Sequence, residues 1–87
     1  MSGWITSGKE VKEAVEDGWE LWHVSPDMMP GRWEIRRGRE IRRVHWDAIE
    51  RIRQHYRNWF KENTETRQEG QNTWAYLPRQ RNLRLPS

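Results

Sequence analysis

Val11, Ala14 and Val15 recur at three- and four-residue spacing behind Ser7-Gly8-Lys9-Glu10. A serine followed three residues later by glutamate is a capping box, so the pattern predicts a helix over about 8–17, stopped by Gly18 in a left-handed conformation. Trp19-Glu20-Leu21-Trp22-His23-Val24 is dense in β-favouring side chains and predicts a strand, with Ser25 to Gly31 as the loop after it. Trp33-Glu34-Ile35-Arg36 alternates apolar and charged side chains, and Gly38-Arg39 precedes Glu40-Ile41-Arg42-Arg43-Val44. That is the pattern of a β-hairpin. A two-residue turn would pair Ile35 with Arg42. A three-residue turn at Arg37-Gly38-Arg39 would pair Ile35 with Ile41 and Glu34 with Arg42, and the matched pairs favour this second register.

From His45 to Glu62 there is no glycine or proline, and Ile49, Ile52, Tyr56, Trp59 and Phe60 form an apolar stripe at helical spacing. The stripe predicts one long helix, with Ile52, Tyr56 and Trp59 buried against Trp33 and Ile35. Residues 63–73 are almost wholly polar and read as a loop. Trp74 to Leu77 reads as a short strand or extended arm. The expected fold is α+β: a three-stranded antiparallel sheet, a short N-terminal helix, one long helix packed on a face and an irregular C-terminal arm. Residues 1–78 form a single compact domain in this reading, and 79–87 a basic, mobile tail.

Composition sharpens the picture at three points. A chain of 87 residues must build its core from few, large side chains, and its seven tryptophans are the bulkiest available, so most are expected inside. The absence of cysteine excludes disulfides and thiolate chemistry and suits a reducing, cytoplasmic setting, with no signal peptide or membrane span in the pattern. Charge is split along the chain. Residues 1–31 hold two lysines against six acids, whereas residues 32–87 hold fourteen basic residues against seven.

No enzymatic activity is expected, because no serine sits in a nucleophile elbow and no glycine-rich phosphate loop is present. His23, His45 and His55 lack metal-ligand spacing, so no metal or cofactor is expected either. The strongest candidate chemistry is the run of arginines: Arg32, Arg36, Arg37, Arg39, Arg42 and Arg43 on the hairpin, then Arg51, Arg53 and Arg57 on the helix. Interleaved Glu34, Glu40, Asp47 and Glu50 would pair with some of them, for about a few tenths of a kcal/mol per exposed pair. An excess of five positive charges remains after that pairing. Two kinds of partner fit. Nucleic acid would be held by phosphate contacts, with Trp22 or Trp74 stacking on unpaired bases. An acidic host protein complex would be docked through the same arginines, since Trp and Arg dominate interface hot spots. Neither a membrane nor a small-molecule substrate is expected.

In its size, its mixture of a short helix, a hairpin and a longer helix, and its many tryptophans and arginines, the chain resembles the small accessory proteins encoded by phages and prophages. The resemblance implies a protein that acts by binding. It would be either a DNA-binding regulator or an inhibitor of host machinery such as a CRISPR effector complex, a restriction system or a polymerase.

Overall fold

The computed structural model describes residues 4–26 and 30–79. Its elements run α1 (Gly8–Glu16), β1 (Glu20–Val24), β2 (Arg32–Arg37), β3 (Glu40–Val44), α2 (Trp46–His55), α3 (Arg57–Asn63), β4 (Thr64–Gly70) and β5 (Thr73–Pro78). The fold is α+β, but the sheet has five antiparallel strands in the order β3-β2-β1-β5-β4, which corrects the three-stranded sheet expected from sequence. The expected polar loop at 63–73 is largely β4, an edge strand exposed along nearly its whole length. The expected irregular arm is β5, which pairs with β1 at the centre of the sheet. The expected tail lies outside the described residues from position 80 onward, as do residues 27–29 of the loop after β1.

Helix α1 starts as its sequence dictates. The Ser7 hydroxyl accepts a hydrogen bond from the Glu10 amide at 3.1 Å, and Gly18, at φ +101°, ends the turn after the helix. The Glu10 carboxylate faces Arg42 of β3 at 3.6 Å, tying the first turn to the sheet.

The hairpin takes the two-residue turn, with Ile35 opposite Arg42 and Arg37 opposite Glu40, so the preferred three-residue register is corrected. A one-residue slip exchanges the two faces of a strand, and the buried side chain decides which register holds. Val44, opposite Trp33, must face the core. There it meets Ile5, whose main chain bridges β3 through Ile5 N to Arg43 O at 3.0 Å and His45 N to Ile5 O at 2.7 Å. The other register would have turned Val44 to the opposite side. Gly38, at φ +60°, takes the first central position of the turn, where a side chain would be strained.

The single long helix is also corrected, because the chain breaks at Tyr56 (φ −128°, ψ 22°) into α2 and α3. The break redirects α3 so that Phe60 reaches Tyr76 of β5, with ring centroids 5.2 Å apart. It also brings Trp59 under the Lys12 ammonium of α1 at 5.0 Å. The last turn of α3 is closed by side chains: Asn63 Nδ2 donates to Trp59 O and Thr64 Oγ1 to Phe60 O, each at 2.7 Å.

All three helices lie on one face of the sheet. The core between the layers is Ile5, Val11, Val15, Leu21, Ile35, Val44, Ala48, Ile49 and Ile52. Of the expected contact group, Ile35 and Ile52 are buried, while Tyr56, Trp59 and Trp33 are half-buried at its border. None of the seven tryptophans is fully buried, which overturns their expected place inside. A two-layer domain this small encloses little more than a row of aliphatic side chains, so larger rings stay at the rim. Five of the seven indoles there lie under a cation: Trp4 under Arg43, Trp19 under Arg37, Trp22 under Arg36, Trp46 under Arg53 and Trp59 under Lys12. The abundance of tryptophan and of arginine is thus one structural feature.

Candidate functional site

Strand alternation and register sort the arginines between two sides of the molecule. On the sheet face away from the helices, one row crosses all five strands: Arg67, Ala75, Trp22, Glu34 and Arg43. Arg32 and Arg36 stand two residues either side of Glu34 on the same face. The other expected arginines are elsewhere. Arg37 and Arg42 turn toward α1, where Arg37 pairs with Asp17 at 2.9 Å and with Glu40 at 3.3 Å, and Arg42 faces Glu10. Arg39 is exposed at the hairpin tip, and Arg51 and Arg57 are exposed on α2 and α3. Trp74 lies on the helix side of β5, stacked toward His23 at 6.4 Å, so it does not share a surface with Trp22.

The open face centres on Glu34, only 3% exposed although no helix covers it. It is enclosed by its own partners. Arg32 Nε donates to one carboxylate oxygen at 3.2 Å and Arg36 Nε to the other at 2.7 Å. The Arg36 guanidinium also lies 4.0 Å from the Trp22 ring centroid, and Trp22 Nε1 donates to Glu20 at 2.9 Å. Arg43 is directly opposite Glu34 yet makes no ion pair with it, whereas Arg32 and Arg36 each take one carboxylate oxygen. Its guanidinium stacks on Trp4 at 4.3 Å, and its Nε is fully buried with no hydrogen-bond acceptor. A buried cationic donor without an acceptor is costly, and the half-exposed remainder of the Arg43 guanidinium, with no carboxylate partner among the described residues, is the part an incoming anion could pair with.

Beside Arg43 the surface dips into a cleft of about 360 Å³ lined by Trp4, Arg32, Arg43, His45 and Trp46 among others. Trp4 and Trp46 are each 52% exposed, unusual for so large an apolar side chain. His45 caps α2, its Nδ1 accepting from the Asp47 amide at 3.0 Å. His23, near the cleft floor, is stacked on Trp33 with centroids 4.2 Å apart. Burial first, and the nearby charge of Arg53 second, hold its imidazole below the usual histidine range.

Trp4 and Trp46 are absent from the binding residues expected from sequence, and Glu34 is expected there only as an ion-pair partner. Glu34 was legible in the spacing Arg32-x-Glu34-x-Arg36, which places all three on one strand face. Trp4 had no signal, because its place depends on the parallel bridge between Ile5 and Val44. No helix among the described residues is long and apolar enough to cross a membrane. No family model matches the chain, and no curated protein or solved structure matches it.

Proposed function

We propose that the protein binds single-stranded nucleic acid on the open sheet face and the cleft beside Arg43, with Arg32, Arg36 and Arg43 on phosphates, Trp4 and Trp22 offered to bases, and Trp46 reached through the cleft. The observation that carries this reading is Arg43: a half-buried arginine with no carboxylate partner among the described residues, on a face where the facing glutamate is taken by Arg32 and Arg36. Flanking rings suit stacking, which tolerates any base sequence. The role is that of a small non-catalytic regulator of the phage accessory type, acting in the cytoplasm.

Fluorescence anisotropy with a labelled oligonucleotide tests it. Three phosphate contacts predict a log-log salt slope of about −2 for a single strand, a fall in affinity of roughly 20-fold between 50 and 200 mM salt. Arg43→Glu should abolish binding, whereas Arg39→Glu at the hairpin tip should weaken it far less. A salt-independent affinity, or full binding by Arg43→Glu, would refute the assignment. A second reading has its own support in Ile41, 55% exposed on the same face. An apolar side chain beside arginines suits an acidic protein surface, and the protein would then be an inhibitor or adaptor of a host complex with no affinity for nucleic acid.

A further inference from the structure

The break at Tyr56 leaves a groove between the helices and the sheet, on the side opposite Arg43's row. Its volume is about 170 Å³. Drug-sized sites run to about 300–1,000 Å³, so an occupant here is a small molecule. The sheet supplies Leu21 and the rings of Trp33 and Tyr76, which lie 6.0 Å apart and within 23° of parallel. The opposing wall is aliphatic, from Ile49 and Ile52 of α2, and Phe60 of α3 closes one end. Aromatic side chains on one wall and branched aliphatic side chains on the other make an apolar slot, which accepts an aromatic ring.

The rim of the slot is cationic. Arg53, Arg57 and Lys61 all line it. Arg53 is offset by Glu50 at 3.3 Å, but Arg57 and Lys61 have no carboxylate partner among the described residues. Positions 57, 60 and 61 share one face of α3, so both free cations stand beside Phe60 at the mouth.

We propose that this groove is a binding site for a small planar aromatic carboxylate, its ring in the slot and its carboxylate between Arg57 and Lys61. The site is separate from the open sheet face, and either reading stands or falls without the other.

Indole-3-acetate is the probe, with uncharged indole-3-ethanol as its isosteric control, titrated into the full chain and followed by ¹H–¹⁵N NMR. The expected result is saturable shifts at Ile52, Phe60 and Tyr76 and at the Trp33 indole. The acid should bind about five- to tenfold more tightly than the alcohol, the preference that two half-solvated cations provide. Arg57→Glu with Lys61→Glu should erase that preference, and Arg57→Lys with Lys61→Arg should keep it. Arg43→Glu should bind indole-3-acetate like the wild type while losing nucleic acid. Equal affinity for acid and alcohol in the wild type, shifts centred on the open sheet face, or no saturable shifts would each overturn the proposal. The first comparison needs no variant and so does not depend on any variant folding.

Discussion

Gly8→Ala sets two effects of opposite sign against each other at the contact between α1 and α2. Alanine in place of glycine favours a helix by at most about 1 kcal/mol, and by less at the first helical position. Against this, a Cβ at position 8 would lie 2.7 Å from Arg51 Cβ, 3.2 Å from Ala48 O and 3.3 Å from Ile52 N. Two of these atoms are backbone and the third is fixed to it, so no flexible side chain can swing aside. The helices must separate, and overpacking of this kind costs about 1–3 kcal/mol. The net expectation is a loss of about 1–2 kcal/mol from a domain whose total stability is on the order of 4–13 kcal/mol. With a urea m-value near 1 kcal/mol/M, the midpoint should fall by roughly 1–2 M, and Tm by roughly 5–15 °C. Equilibrium urea unfolding read by tryptophan fluorescence measures it, and Gly8→Val should lose more. If Gly8→Ala matches or exceeds the wild type, α1 and α2 do not meet through this residue and the packing described is wrong.

Ser7→Ala should cost about 1 kcal/mol by leaving the Glu10 amide without its acceptor, seen as a lower urea midpoint at unchanged m-value. His23 should titrate below 6.5 in a histidine-resolved NMR experiment. Because the folded state disfavours its proton, this contribution to stability is complete above pH 6.5 and is lost as pH falls from there through the lowered value; His23→Gln should flatten that part of the pH–stability curve. Glu34→Gln should lower stability, since two arginines lose their common counter-charge, yet bind an oligonucleotide more tightly than the wild type. A variant with unchanged stability and unchanged affinity would show that Glu34 does not restrain Arg32 and Arg36.

Local signals in the sequence carried the elements that local chemistry governs. Ser7 and Glu10 mark the start of α1, and the alternation around Glu34 marks β2. The hairpin register did not follow from its own pairs, because opposing apolar and ionic side chains are worth less than burying Val44 against Ile5. Strand β4, Thr-Glu-Thr-Arg-Gln-Glu-Gly, has no apolar alternation because an edge strand with one long side free has little to bury. The break at Tyr56 has no glycine or proline to announce it. The arginines were legible as a cluster along the chain but not as a surface. Register places Arg32, Arg36 and Arg43 on one face and sends Arg37 and Arg42 to the acids of α1. The charge split between the two parts of the chain is thereby partly cancelled in space.

The order β3-β2-β1-β5-β4 has a consequence for how the chain reaches this state. β1, near one end of the sequence, occupies the middle of the sheet, and its second neighbour is β5, about fifty residues later. The β1-β2-β3 meander forms from local contacts, but β1 keeps one bare edge until β5 arrives. Closing that distance is slow relative to hairpin formation, so the last pairing sets the pace of folding. In the interval, the side of β1 that carries Leu21 and His23 offers an unpaired strand to any other chain. During synthesis, which runs from the N-terminus, this interval lasts at least until β5 is made. Crowding with partly made copies should therefore lower the folded yield more than a loss of stability in the finished protein would.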